Sequence, residues 1–429
     1  MRMARPEGLL AILVIALVAR LVFCFGVAGI HSELRGDQLN YQNIARRLVQ
    51  GSGFAMEDGT PSAARPPLYP MFLAGVYQVF GIRPEAGKIT QVLLGVVMVL
   101  LVYAIAKRLF SDTVAMLAAL LAAINPSMIF ISGYLLSENL YSLFLLAFIL
   151  LLVGQQKSAH PSYARVVLGG FLLGQAGLTR PCGLVFATGA AVVLILLAPV
   201  NLKRLARAGV LLLVLVLTIF PWTLRNYLRL GAWVPLSTNG GLTFYMSNCE
   251  RVFDLPRYRG TIVPLDEVGQ AEIKKAGNEI ECDRLGWRMG MTFLKENWRR
   301  IPTLVSWKFL RFWRIRSGVT GPWWWDSSST LGALANRIDH GLGFNVIVVP
   351  LFLIGLAITS KRYKDMALLY TLILAHVAVA LVFFGSLRAR VPVEPAISIF
   401  ASAALVKIVG QLRRGSATRF LDRFDFHLC

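Results

Sequence analysis

The chain has 429 residues, 56% of them hydrophobic and only 16% charged, with mean hydropathy +0.61. Soluble domains carry about 25% charged residues, so a soluble globular class is excluded and many membrane spans are implied. The formal net charge of +21 would point to nucleic acid in a soluble protein. Here it fits Lys- and Arg-rich cytoplasmic loops, and no nucleic-acid partner is expected.

A helix rises about 1.5 Å per residue, so about 20 apolar residues cross a hydrocarbon core of roughly 30 Å. Apolar runs predict about ten spans, at 9–30, 86–106, 114–131, 140–154, 166–178, 184–198, 210–220, 343–359, 366–384 and 396–409. The short ones are tolerated where a helix is buried in protein rather than lipid. Segment 9–30 is too long for a cleaved signal and lacks a small-residue cleavage site, so it is expected to stay as an anchor. Arg20 lies near its middle. Such a charge costs about 2.5–3.5 kcal/mol on insertion scales unless it finds a partner or a wet cavity, and the sequence names no partner.

Alternating spans put the basic clusters on one side: Arg2 and Arg5; Lys107 and Arg108; Lys157 and Arg165; Lys203, Arg204 and Arg207; Lys361, Arg362 and Lys364; Arg413 and Arg414. That side is the cytoplasm, which makes both termini cytoplasmic. The chain then divides into a membrane module, 1–221, with an outer loop at 31–85; an outer basic region, 222–342; membrane helices, 343–410; and a basic amphipathic tail, 411–429, on the cytoplasmic surface. Topology does not require the outer region's basic excess. An anionic ligand such as lipid phosphate would account for it, as would anionic head groups in general. Residues 298–316 mix Trp, Phe, Leu and Arg as an interfacial helix does, and Trp323, Trp324 and Trp325 read as part of the aromatic belt.

In the outer loop, Asp37 follows Gly36 where a helix would begin. It is either an N-cap or a general base at the membrane surface. Ala64-Arg65-Pro66-Pro67-Leu68-Tyr69-Pro70 makes a stiff turn that presents Arg65 at head-group level, either to a bound phosphate or to bulk lipid. Ser137-Glu138-Asn139 and Leu178-Thr179-Arg180-Pro181 lie on the same side. Asp37, Glu138, Arg65 and Arg180 can therefore face one compartment. Arg225 ends the seventh span, Ser237-Thr238-Asn239-Gly240-Gly241 and Asn248 follow, and Arg388-Ala389-Arg390-Val391-Pro392-Val393-Glu394-Pro395 enters the last span from outside. The glycine pair allows close backbone approach to a ligand, or is an ordinary turn. Arg388, Arg390 and Glu394 could pair with one another or reach a cavity. Cys249 and Cys282 share the outer region and could form a disulfide. Five histidines lack metal-ligand spacing, so no histidine metal centre is expected.

Taken in order, these motifs resemble the superfamily of the protein O-mannosyltransferases, which also holds the lipid A aminoarabinose transferases and the rhizobial galacturonic acid transferases. They are the Asp37 loop with Tyr41 and Gly51-Ser52-Gly53-Phe54, Arg65 to Pro70, Leu136-Ser137-Glu138, Leu178 to Pro181, Pro221-Trp222 with Arg225-Asn226-Tyr227, Ser237 to Gly241, and Arg388 to Pro395. The resemblance runs from about residue 9 to 404. It implies an all-α GT-C fold in a bacterial inner membrane, with juxtamembrane helices roofing an extracytoplasmic cavity. It implies a polyprenyl-phosphate-linked sugar donor, a lipid, glycan or protein acceptor, and inverting transfer. By position, Asp37 resembles the catalytic carboxylate. Arg65 and Arg225 resemble donor-phosphate contacts, joined as cations by Arg180 and Arg390, while Tyr41, Tyr69, Glu138, Asn239 and Asn248 are expected at the cavity. Relatives usually have Asp-Glu where this chain has Asp37-Gln38, which leaves the acceptor and any divalent metal open. The rival reading is a lipid-linked-sugar flippase or transporter. It would need midplane binding groups, whereas most ionisable residues here lie toward the outside.

Overall fold

The computed structural model describes residues 6–56, 58–153, 162–196, 201–268, 273, 276–314 and 344–413. The first apolar run forms α1 (Pro6–Val22), which continues into a π-helical turn at Phe23–Val27. The outer loop contributes α2 (Asp37–Val49) and α3 (Leu68–Phe80). Next come α4 (Pro84–Leu109), α5 (Asp112–Ala123), α6 (Pro126–Ser132), α7 (Glu138–Leu152), α8 (Tyr163–Thr179), α9 (Gly183–Leu196) and α10 (Leu202–Leu230). Helices Phe344–Thr359, Tyr363–Val382 and Glu394–Arg413 end the described chain. Every predicted span falls on one of these helices or on the α5–α6 pair. By length and composition alone, five apolar runs can cross a membrane, or six if α5 and α6 make one span; α7 and α9 are shorter apolar helices.

Two breaks in the helices have physical causes. Pro126 lacks an N–H and Asn125 caps α6 by accepting from the Met128 amide, so α5 and α6 meet at a 53° bend. The bend frees carbonyls at the end of α5, and Arg20 finds its partners there. Its guanidinium is fully buried and donates to Ala123 O (3.0 Å), Ala122 O (3.3 Å) and Ala16 O (3.0 Å). The apolar run Phe344–Val382 folds back at Ser360–Arg362. Thr359 Oγ1 and Tyr370 OH are 3.1 Å apart, whereas a straight helix would separate residues eleven apart by about 16 Å.

Of the basic residues assigned to the cytoplasmic side, Arg108, Arg204 and Arg362 meet at one end of the bundle. There Arg362 donates to Leu109 O at 2.8 Å, Arg204 to Leu194 O at 3.2 Å, and Arg108 to Leu150 O. Each guanidinium thus meets carbonyls left over near the end of an apolar helix. The opposite end carries α2, α3, α11 (Gly240–Ser247) and the helices Glu279–Glu296 and Ile301–Phe312. Asp283 accepts from the Gly241 amide at 2.6 Å, and a Cβ on Gly241 would lie 1.9 Å from Asp283 O, so only glycine permits this crossing. Lys308 is buried and donates to Asn248 Oδ1 (2.7 Å) and Val382 O (2.9 Å), pinning the outer helices to the end of the Tyr363–Val382 helix.

The outer region bears on two readings of the sequence. Cys249 and Cys282 are both free thiols: Cys249 is buried against Val252, Val263 and Leu304, while the Cys282 thiol points to Ile273 O. The expected interfacial helix at 298–316 is a 3-10 turn, Trp298–Arg300, followed by Ile301–Phe312. Its Leu304, Lys308 and Phe312 repeat every fourth residue and are buried in protein, while Trp298 and Phe309 stay exposed. Trp323, Trp324, Trp325 and most of the tail lie outside the described residues.

Candidate functional site

Gly36 turns the chain into α2 with φ +56°, in the region that favours glycine. Asp37 is the first residue of that helix, yet its side chain does not act as the cap. Both its oxygens meet guanidiniums: Oδ1 lies 2.6 Å from Arg65 and Oδ2 lies 2.7 Å from Arg388. Arg388 reaches onward, its Nε 2.6 Å from Glu138 Oε1, and Arg180 meets that same oxygen at 2.7 Å. Three guanidiniums and two carboxylates thus converge from widely separated points in the chain, leaving one net positive charge. Glu138 is fully buried, whereas Asp37 keeps 25% of its side chain exposed, so Asp37 is the carboxylate open to a ligand. Burial pushes its carboxyl up, but the Arg65 and Arg388 guanidiniums outweigh that and hold it well below the usual carboxylate range.

The surrounding side chains fix this cluster. Tyr41 donates to Ser137 Oγ (3.4 Å), packs edge-on to Tyr69 at 4.7 Å, and lies 5.8 Å beneath the Arg65 guanidinium. Tyr69 in turn accepts from Gln91 at 2.6 Å. Gln38, the residue that departs from the usual Asp-Glu pair, is buried and accepts from the Leu135 amide at 3.1 Å, tying α2 to the turn before Glu138. Glu279 accepts from Ser62 Oγ (2.6 Å) and the Ala63 amide (2.7 Å), two residues from Arg65.

Several expected site residues lie elsewhere. Arg225 spends its donors on Phe54 O (2.5 Å), Ser62 O (2.8 Å) and Asn226 (3.0 Å), so it clasps the loop that carries Arg65. Arg390, expected among the phosphate-facing cations, is buried against Glu394 at 2.6 Å and also bonds Trp313 O and Asn345. Asn125 donates to the other Glu394 oxygen at 2.9 Å. Arg388 and Arg390 sit in one helical turn, Leu387–Arg390, where residues two apart point about 200° from each other. The sequence motif held both arginines, and its spacing alone could not say which faces Asp37. Asn248 binds Lys308 rather than the cluster. Asn239 lines a small open pocket with Asn40, Asn43, Ile44, Ala55, Met56, Ala64 and Arg65.

The carboxylates present do not fit a divalent cation. Asp37 and Glu138 are bridged by Arg388, and no cluster of three His, Cys, Asp or Glu occurs among the described residues. A metal would have to displace guanidiniums, because its preferred ligands are anionic oxygens.

Residues 64–223 match the family model of the dolichyl-phosphate-mannose-protein mannosyltransferases. That stretch holds Arg65, Glu138 and Arg180 but stops short of Asp37 and Arg388. No curated protein matches the chain. Among solved structures, it resembles the Archaeoglobus fulgidus oligosaccharyltransferase tethered to an acceptor peptide, with TM-score 0.56, 16% identity, and coverage of 96% of this chain and 51% of that one. The archaeal oligosaccharyltransferase AglB from Archaeoglobus fulgidus, in complex with an inhibitory peptide and a dolichol-phosphate, matches with TM-score 0.55, 15% identity and coverage of 95% and 51%. ArnT from Cupriavidus metallidurans bound to undecaprenyl phosphate aligns over 96% of this chain and 80% of its own, at 12% identity and TM-score 0.46. The chain spans about half the length of the archaeal enzymes it matches. The all-helical body and the likeness to the archaeal enzymes show that the chain has the GT-C fold.

Proposed function

We propose that this chain transfers a sugar from a polyprenyl-phosphate donor to an acceptor hydroxyl, with inversion, on the extracytoplasmic face of a bacterial inner membrane. The observation that carries the reading is the partly exposed Asp37 carboxylate gripped by Arg65 and Arg388, at the end of the bundle opposite the basic loops. The matched family's description names a dolichyl-phosphate-linked sugar, and one structural neighbour was solved with dolichol-phosphate. Both fit a lipid phosphate at the arginine cluster.

In the resting protein Asp37 is a weak base, because two cations stabilise its charge. An arriving donor phosphate competes for Arg65 and Arg388 and frees a carboxylate oxygen. Asp37 then accepts the acceptor's proton as its oxygen bonds to the anomeric carbon. The bond from that carbon to the phosphate oxygen breaks, and the electron pair leaves on the phosphate. No proton is needed on the leaving group if Arg65, Arg388 and Arg180 stabilise the charge that develops there. Arg388 takes over the role first expected of Arg390, and Arg225 positions the loop.

Loss of a general base typically costs ~10²–10⁴-fold in rate. Purified Asp37→Asn should lose turnover to that extent while still binding polyprenyl phosphate. Near-full turnover would remove Asp37 from this role. Mass spectrometry of envelope lipids, glycans and proteins with and without the gene would identify the sugar and its acceptor.

A further inference from the structure

Arg388 bonds both carboxylates of the cluster, so whatever sets its direction sets the cluster's geometry. It sits in the four-residue turn Leu387–Arg390. So short a helix has little stiffness of its own, because a first turn fixes several dihedrals for one hydrogen bond. Ser386 starts it by accepting from the Ala389 amide at 3.0 Å, which leaves rotation about the axis to be fixed elsewhere. An arginine's guanidinium reaches roughly 8 Å from that axis, so a rotation of about 20° displaces it by roughly 3 Å. The 2.7 Å contact with Asp37 and the 2.6 Å contact with Glu138 do not survive such a shift.

The grip lies on the opposite face of the turn, where the Arg390 side chain is 1% exposed. Its Nε donates to Glu394 Oε1 at 2.6 Å, its Nη1 to Trp313 O at 3.3 Å, and its Nη2 to Asn345 Oδ1. Asn125, at the α5–α6 bend, donates to the second Glu394 oxygen at 2.9 Å. One guanidinium thus ties the turn to the last span, to the Phe344–Thr359 helix and to the end of the Ile301–Phe312 helix. A single contact would act as a pivot, whereas a planar fork on three acceptors fixes a rotation. Pro392, in the 3-10 turn Val391–Val393, stiffens the chain between the two partners. Arg390 and Glu394 cancel in charge, and buried pairs often add little to stability; what this one adds is direction.

We propose that Arg390 and Glu394 are positioning residues: their buried pair sets the rotation of the Leu387–Arg390 turn and thereby aims Arg388 at Asp37 and Glu138. The consequence for transfer rests on the lipid-phosphate reading above; the aim itself does not. Two variants separate direction from stability. Arg390→Lys keeps the charge and still reaches Glu394, but its ammonium lacks the planar fork. Arg390→Met with Glu394→Leu removes both charges together, a replacement that buried pairs often tolerate. In a background with the native cysteines replaced, Asp37→Cys and Arg388→Cys report the rotation through the rate at which a short bifunctional thiol reagent joins them. Both changes at 390 should slow joining at least about tenfold, since reaction between held groups depends steeply on their placement. With Asp37 and Arg388 intact, Arg390→Lys should lower kcat by roughly 10²-fold, the cost of a misplacement of about 1 Å. It should also move the acid limb of kcat/KM to higher pH. Burial pushes the Asp37 carboxyl up while Arg65 and Arg388 hold it down, so a misdirected Arg388 lets it rise. An unchanged joining rate overturns the proposal. So does a lowered kcat with the parent's pH profile, which would reflect fewer folded molecules. Slowed joining with full turnover in Arg390→Lys would keep the positioning role and remove Arg388 from the proposed transfer.

Discussion

Arg388 pairs with both carboxylates of the cluster, and its loss exposes each of them differently. Arg388→Ala leaves buried Glu138 with Arg180 alone and Asp37 with Arg65 alone. Breaking a buried pair by removing one partner costs about 3–5 kcal/mol, so this variant should lower the melting temperature in detergent as well as abolish transfer. Arg65→Ala removes a cation only from the exposed carboxylate, so it should mainly weaken donor binding, read as a raised donor Kd at nearly unchanged melting temperature. The depressed Asp37 value also sets a pH signature. The stability it contributes is fully present above the ordinary carboxyl value of 3.8 and is lost as pH falls toward the depressed one. In the free enzyme Asp37 therefore stays ionised through mildly acidic pH, and kcat/KM should show no acid limb from it above about pH 5. If donor phosphate draws the guanidiniums away, the carboxyl rises in the complex, and kcat should fall at higher pH than kcat/KM does. Coincident acid limbs would mean that Asp37 keeps its arginines during turnover. At this scale the sequence exposed the residue types but not their pairing: Asp37, Arg65, Glu138 and Arg180 were readable as sharing a compartment, whereas the choice of Arg388 over Arg390 depends on the phase of a one-turn helix.

Among the elements, the long apolar helices are legible because hydrophobic length is itself the signal for crossing a bilayer. The α5–α6 break is not: the run 114–131 reads as one span, although Asn125-Pro126 inside it both caps and interrupts. Nor are Arg20's partners, because backbone carbonyls freed by a bend have no residue signature. The crossing of α11 with Glu279–Glu296 is hidden for a related reason. Asn239-Gly240-Gly241 reads as a turn, yet Gly241 is needed for the close approach to Asp283. Gly241→Ala should force these helices apart and destabilise the outer layer, seen as faster proteolysis there. Glu279 joins the same helix to the Arg65 loop. Glu279→Ala would strand the Ser62 hydroxyl and the Ala63 amide, each unmade bond costing about 1–3 kcal/mol where buried. The loop should then hold Arg65 less firmly, raising donor KM by about tenfold with a smaller change in kcat. An equal loss in kcat alone would place Glu279 in the chemical step instead.

For the whole molecule, the sidedness of the membrane follows from where cations end up. Arg108, Arg204 and Arg362 lie at one end of the bundle against helix-terminal carbonyls, while Asp37, Glu138 and their arginines lie at the other. Short loops rich in Lys and Arg resist translocation, so the orientation proposed puts the first end in the cytoplasm and opens the cluster away from it. The outer region is basic as well, and a simple count of charges over the entire chain would therefore mislead; only the short loops report orientation. Cysteine labelling separates the two outcomes. In a background with the native cysteines replaced, Asp58→Cys on the exposed outer loop and Lys203→Cys in the exposed first turn of α10 both present accessible thiols. A membrane-impermeant maleimide applied to intact spheroplasts should label Asp58→Cys nearly completely and leave Lys203→Cys unlabelled until lysis. The reverse pattern would turn the arginine cluster toward the cytosol, where a donor flipped to the outer leaflet could not reach it, and the proposed extracytoplasmic transfer would fall with it.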